Sequence, residues 1–145
     1  MIHYPILKKT GKMEKTLFLI FNHRATSIQK HDARKILGVE KIKELPPELK
    51  KLWCTIPADI PQISDYLGPV KKWIHENAKE SDYVLIQGDF GACYIMVNFV
   101  FNMRLIPVYS TTVRDAFEEY SDDGSVKIVH NFKHHIFRKY EKTGQ

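Results

Sequence analysis

The segment DYVLIQGDFGACYIMVNFVF, residues 82–101, decides the fold class. It opens with an apolar run of strand length, 82–87, and continues through two glycines that bracket Asp89 and Phe90. The apolar stretch that follows, 91–103, contains residues that strands favour, but thirteen residues are long for a strand. A helix there would also supply the crossover between parallel strands. The segment therefore predicts a strand, a glycine-containing turn and a helix.

Two further apolar runs flank this unit in the sequence, TLFLIFN from residue 16 and LIPVYS at 105–110. Continuous apolarity is typical of strands that are buried on both faces, as in a parallel sheet. A more polar strand is expected nearer an edge at 39–45. The expected helices lie at 26–38, where Thr26 and Gln29 can form a capping box, after Pro46 and Pro47, and at 62–78, kinked or split at Gly68-Pro69. The fold class is α/β, a mainly parallel sheet flanked by helices.

The predicted helix at 91–103 has apolar side chains on nearly every side. A sheet can cover only one side of such a helix, so a second cover is needed. A homodimer interface would provide it.

The C-terminal third differs from the rest of the sequence in its polarity pattern. Asp123-Gly124 lies there between two segments of alternating polarity. This dipeptide predicts a β-hairpin extension, with Val126, Ile128, His130 and Phe132 on one face and another strand at 134–140. Residues 115–123 are acidic and residues 127–142 are mostly basic. Two interpretations remain open, cross-strand charge pairing and a phosphate-binding patch.

The length of 145 residues, with 43% hydrophobic and 27% charged residues, indicates one globular domain, 1–145. Residues 1–12 look like an N-terminal extension that is flexible or not native. The net charge of +5 favours an anionic partner. No stretch predicts a membrane span or a signal peptide, so a cytoplasmic protein without a membrane partner is expected. Cys54 and Cys93 are expected to be buried thiols. His130 and His134 would lie about 13 Å apart on an extended chain, so no metal and no cofactor are predicted.

Polar side chains follow the three predicted central strands at their carboxyl ends, where ligands of open parallel sheets bind. Individually, each of them has a structural explanation, such as tight packing for the glycines, a helix cap for a threonine or a Glu118 partner for Arg114. GDFGA is neither GxGxxG nor a Walker sequence, which argues against ordinary nucleotide folds. Together the residues suit an anionic ligand with ribose hydroxyls: Asn22, His23 and Arg24; Gly88, Asp89, Phe90 and Gly91; Ser110, Thr111, Thr112 and Arg114.

Five segments carry a resemblance to a known group: LFLIFNH, LPPELKKLW, DYVLIQGDFGACYIMVNFVF, LIPVYSTTVR and FKHHIFRKY. The stretch from Thr16 to Tyr140 resembles small stand-alone CRISPR-associated proteins with a CARF-like (CRISPR-associated Rossmann fold) domain, of the ring nuclease type. The resemblance implies a Rossmann-like homodimer that binds a cyclic oligoadenylate, with cyclic tetra-adenylate as the expected ring. It also implies metal-independent cleavage of this antiviral second messenger, by attack of a ribose 2′-hydroxyl on the adjacent phosphate.

The same resemblance assigns roles to the residues. Arg114 would clamp the phosphate, Arg24 would be a second cation, His23 would be the general acid and Thr112 would complete the catalytic set. The remaining residues named above would bind the ligand. This chain lacks the lysine that some ring nucleases use, and His134 and His135 are further candidates.

Two other functions stay open. One is a non-cleaving sink or sensor of cyclic oligoadenylate. The other is a single-stranded RNA-binding domain that stacks bases on Phe137 and Tyr140 of the basic hairpin.

Overall fold

A computed structural model describes residues 14–144, with Asp115 described by its backbone alone. Residues 1–12, expected to be an extension, lie outside the described part. One sheet contains five strands: β1 Thr16–Ile20, β2 Lys41–Glu44, β3 Tyr83–Ile86, β4 Ile106–Tyr120 and β5 Val126–Lys139. Their order is β2-β1-β3-β4-β5; the first four are mutually parallel and β5 is antiparallel to β4. The predicted α/β class, a mainly parallel sheet with a C-terminal hairpin, is confirmed.

Four helices connect the strands: α1 Ser27–Asp32, which continues as a π-helical turn at Ala33–Leu37, α2 Pro47–Cys54, α3 Gly68–Asn77 and α4 Phe90–Asn102. Thr26 and Gln29 form the predicted capping box at the start of α1. Gly38 ends the π-helical turn with φ of 72°, a conformation that glycine adopts without strain. The helix predicted at 62–78 begins only at Gly68, so the expectation of helix over 62–67 was wrong; residues 64–67 form turns, and Pro69 lies in the first helical turn, where proline is tolerated.

The two faces of the sheet carry separate cores. On one face α1 covers Leu17, Leu19, Leu85 and Val108. On the other face α2, α3 and α4 cover Phe18, Ile20, Val84 and Ile86, with Trp53 and Met96 fully buried among them. Successive residues of β1 and β3 thus point into different cores, which explains why both strands are apolar throughout.

β4 and β5 continue together far beyond the rest of the sheet. Nine residue pairs, from Thr112 opposite His134 to Tyr120 opposite Val126, form a two-stranded segment that we call the ribbon. It is about 30 Å long at roughly 3.4 Å per residue. The hairpin was predicted, but the separate strand expected at 134–140 was wrong. Residues 126–139 form a single strand, because a one-residue bulge opposite Thr111 lets pairing continue from the sheet into the ribbon.

The two cysteines are more accessible than expected. Cys54 is exposed and Cys93 is half-buried, so the prediction of two buried thiols was wrong. Cys54 follows Trp53 on α2, and only the tryptophan points into the core.

Within residues 14–144, every helix is too short or too polar to cross a bilayer.

Candidate functional site

The carboxyl ends of β1, β3 and β4 lie side by side at one edge of the sheet. Gln87 connects all three strands, because its backbone N–H donates to the Ile20 carbonyl at 3.1 Å and its Oε1 accepts from the Ser110 N–H at 2.7 Å. The parallel strand order thus brings together the three predicted segments, 22–24, 88–91 and 110–112. We call these three segments the carboxyl margin.

Gly88 in this margin is required by packing against Trp53. A Cβ atom at Gly88 would lie 2.7 Å from the indole Nε1, and the φ of 156° is one that other residues rarely adopt. The same indole donates a hydrogen bond to the Gln87 carbonyl at 2.9 Å. Gly88 therefore has the structural role that the sequence left open.

Asp89 caps helix α4. Its Oδ2 accepts from the Ala92 N–H at 2.9 Å, so a carboxylate already occupies the helix N-terminus where a phosphate would bind. Phe90, the next residue, is 95% exposed. Burial and the nearby Asp89 carboxylate raise the pKa of the Cys93 thiol to about 11. Asp89 thus provides the negative charge at this helix N-terminus.

The loop after β1 contributes Asn22, His23 and Arg24, all exposed. Asn22 Oδ1 accepts a weak hydrogen bond from the Cys54 thiol at 3.7 Å, and the His23 ring packs edge-on against Phe21. His23 and Arg24 follow β1, which is two strands away from β4, or roughly 10 Å at about 4.8 Å per strand. They form the end of the margin that is farther from the ribbon.

Ser110 belongs to a buried polar network that the sequence did not reveal. Its Oγ lies 2.5 Å from His134 Nδ1 and 3.3 Å from Gln29 Nε2. His134 Nε2 lies 2.8 Å from Asp32 Oδ2, and the His134 side chain is only 3% exposed. Ser110, His134 and Asp32 therefore form a hydrogen-bonded chain like that of a catalytic triad. The Ser110 hydroxyl is buried, however, so a substrate cannot reach it. The network joins α1 to the base of the ribbon.

The two threonines that follow Ser110 have different environments. Thr111 Oγ1 donates to the Ile136 carbonyl and accepts from the Ile136 N–H, both at 3.1 Å, so its hydroxyl is engaged in the bulge. Thr112 is exposed and lies opposite His134 in the register. Thr112 is therefore the hydroxyl of this pair that a ligand can reach.

Arg114 lies on the same side of the ribbon as Thr112. Its Nε donates to His130 Nδ1 at 3.1 Å, and its guanidinium lies 5.9 Å from the centre of the Phe132 ring. All three side chains are exposed, with Phe132 at 66%. We call Arg114, His130 and Phe132 the arginine cluster. It combines a cation, a donor and an aromatic face, which suits a nucleotide.

A groove of about 660 Å³ lies on the other face of the sheet, between α4 and the chain after β5. Its walls include Phe90, Tyr94, Phe101, Tyr109 and Tyr140. Burial raises the pKa of Tyr140 to about 12, and its hydroxyl donates to the Ile86 carbonyl at 2.7 Å.

In the described part of the chain, no three His, Cys, Asp or Glu side chains are grouped so that they could hold a metal ion.

Comparison with known sequences places the chain in a family. The sequence model described as the Uncharacterized protein MJ1673 family matches residues 15–138. The chain belongs to the MJ1673 family. The uncharacterized protein MJ1673 of Methanocaldococcus jannaschii is 51% identical to this chain over 124 residues, which are 86% of this chain and 95% of that protein. No solved structure matches the chain.

The match to the MJ1673 family includes the whole carboxyl margin, the Ser110 network and the ribbon. Residues 140–143, which form one wall of the groove, lie beyond the matched range. The margin and the arginine cluster lie entirely within the matched range.

The sequence placed Arg114 in the site but assigned no role to its partners His130 and Phe132, or to Asp32, the partner of His134. His134 was only a further candidate. The alternation after Asp123-Gly124 did place His130 and Phe132 on one face, but their contact with Arg114 depends on the pairing register across a five-residue turn.

Proposed function

We propose that this protein binds a cyclic oligoadenylate, with cyclic tetra-adenylate as the first candidate, at the carboxyl margin and cleaves it without a metal ion. One observation carries the proposal. The arginine cluster stands on β4 directly beyond the margin, with Arg114 donating to His130 and lying over Phe132. A cation, an imidazole and an exposed ring beside three strand ends match the phosphate, ribose and base of a nucleotide.

The distribution of charge favours binding of the phosphate at Arg114. Asp89 occupies the N-terminus of α4, which leaves Arg24 in the margin and Arg114 beside it, since Arg138 is engaged with Tyr109 on the groove face. Phe132 is exposed enough for an adenine to stack on it. By contrast, Phe137 and Tyr140, which a general RNA-binding domain would have used, pack against the two cores of the sheet.

The reaction that these groups could support is an internal transesterification. The ribose 2′-oxygen attacks phosphorus, the bond from phosphorus to the 5′-oxygen breaks, and the products carry a 2′,3′-cyclic phosphate and a 5′-hydroxyl. The 2′-hydroxyl loses one proton and the 5′-oxygen gains one, so water is not consumed. Arg114 would stabilise the extra negative charge on the phosphorane oxygens.

His130 adds a second donor to this scheme. Because its Nδ1 accepts from Arg114, the proton of the neutral imidazole is on Nε2, where it can donate to a phosphate oxygen. His23, at the other end of the margin, is the candidate general acid for the 5′-oxygen. Such an enzyme would terminate second-messenger signalling of type III CRISPR systems, as its resemblance to ring nucleases implies.

The proposal is tested by incubating the full chain with cyclic tetra-adenylate in EDTA and separating the products by chromatography. We expect a linear product that ends in a 2′,3′-cyclic phosphate. Arg114→Ala should lower the single-turnover rate by about 100-fold, the usual cost of losing one group that stabilises the transition state. Lys72→Ala, which removes a charge from the exposed face of α3, should leave the rate unchanged.

Two outcomes would contradict this proposal. A stable complex without product would exclude the nuclease and leave a binding protein. No retention and no cleavage at micromolar protein would exclude cyclic tetra-adenylate as the ligand altogether.

A further inference from the structure

The ribbon has two sides with different chemistry, because directly opposed residues share a side. One side carries the arginine cluster. The other carries Val113, Phe117, Glu119, Lys127, Val129 and Lys133, and we call it the Phe117 side.

The Phe117 side is not covered by its own chain. Phe117 is 42% exposed, Val113 is 43% exposed, and the opposed pair Phe117 and Val129 forms an apolar centre. A two-stranded ribbon without a packed face is only marginally stable in water. A partner surface would therefore stabilise the part of the ribbon that extends beyond the sheet.

The uncovered surface extends from the ribbon onto the body of the protein. Because side chains alternate along β4, Tyr109 and Val113 point to the same side of the sheet. That side carries the groove and helix α4, whose Phe90 and Tyr94 are 95% and 73% exposed. On the opposite side, α1 covers the base of the ribbon through the contact between Asp32 and His134, and farther out Ile128 and Phe132 are 62% and 66% exposed. Only on the Phe117 side does the uncovered apolar surface continue from the ribbon to α4.

The charges on the Phe117 side identify the partner. Glu119 on β4 lies opposite Lys127 on β5, but none of the salt bridges found among the described side chains lies within the ribbon. A second copy related by a two-fold axis along the ribbon would place its β5 over the β4 of the first. Each Glu119 would then face Lys127 of the other copy, so the surface is complementary to itself.

We propose that two copies of this chain pack Phe117 side against Phe117 side, with parallel ribbons, and that the contact continues along α4. Phe117 and Val129 form the apolar centre of the interface and two reciprocal pairs of Glu119 with Lys127 border it. Both carboxyl margins then point to the same end of the dimer, and both arginine clusters stay open to solvent. This interface does not depend on the identity of the ligand.

Sedimentation velocity of charge variants tests the interface. Wild-type protein should be a dimer at micromolar concentration. Glu119→Lys and Lys127→Glu should each raise the dimer dissociation constant by roughly tenfold or more, because each replaces two attractive pairs with two repulsive ones. An equimolar mixture of the two variants should form heterodimers, in which both pairs are again of opposite charge.

The mixture shows whether the charge pair of residues 119 and 127 acts between chains or within one ribbon. Mixing the two variants restores opposite charges between chains but not within a single chain. Glu118→Lys, the same charge change on the opposite side of β4, is the matched control and should leave the dimer intact. Circular dichroism shows whether each variant is folded. A monomeric wild type, a folded mixture that stays monomeric, or a Glu118→Lys variant as weakened as Glu119→Lys would overturn the proposal.

Discussion

At the scale of single residues, Gly88 is the position where the fold tolerates least change. The space of a Cβ is occupied by the Trp53 indole. We expect Gly88→Ala to lower the free energy of unfolding by about 1–3 kcal/mol, the usual cost of overpacking a core. Urea denaturation measures this loss. Gly68→Ala is the control, because nothing lies within 4 Å of a Cβ there, and an equal loss in both variants would show that Trp53 is not the cause.

The buried network of Ser110, His134 and Asp32 is a second feature at this scale. Asp32→Ala leaves the buried His134 Nε2 without its partner, so the free energy of unfolding should fall by about 1–3 kcal/mol. Asp59→Ala, at an exposed position, should change it by less than about 0.5 kcal/mol. Denaturation of the two variants by urea makes the comparison, and equal stability would mean that the network does not hold α1 to the ribbon.

The two thiols should differ in reactivity. The pKa of Cys93 is raised to about 11 by burial and by Asp89, so at pH 8 only about one molecule in 1,000 carries the reactive thiolate. Iodoacetamide at pH 8 should therefore modify exposed Cys54 first. Modification of Cys93 should accelerate about tenfold per pH unit up to pH 10, as measured by peptide mass spectrometry. Similar rates for both thiols at pH 8 would contradict this expectation.

At the scale of elements, the sequence predicted a helix or strand at the position of each helix and central strand, because each has a local signal, although α3 is shorter and β4 longer than expected. The apolar runs of β1 and β3, the capping box of Thr26 and the prolines before α2 are contained within a few residues. The length of the ribbon and its bulge had no such signal. They depend on pairing between β4 and β5, as does the contact of Arg114 with His130. Asp32 and His134 are 102 positions apart, which no local pattern connects.

The proposed dimer should protect the ribbon from proteolysis. Limited chymotrypsin digestion at decreasing protein concentration should therefore show faster cleavage after Phe117 as the dimer dissociates. The Glu119→Lys variant should be cleaved faster at every concentration at which the wild type is dimeric, and Glu118→Lys should match the wild type. Cleavage that does not depend on concentration would argue against a role for the ribbon in association.

At the scale of the whole molecule, the parallel order of β1, β3 and β4 determines where chemistry can occur. It brings the loop at 22–24, the turn at 88–91 and the segment at 110–114 to one end of the sheet. The sequence predicted this convergence because parallel strands end at the same edge. It could not show that Asp89 fills the N-terminus of α4 or that Thr111 is engaged in the bulge. Those contacts shift the candidate site towards the ribbon.

The most direct test of the proposed site is amide hydrogen exchange of the full chain in EDTA, with and without cyclic tetra-adenylate. The proposal predicts slower exchange of peptides that contain 22–24, 88–91 and 110–114 when the ligand is present. Slower exchange confined to α4 and residues 140–143 would place the ligand in the groove. That result, or no change anywhere, would contradict binding at the carboxyl margin.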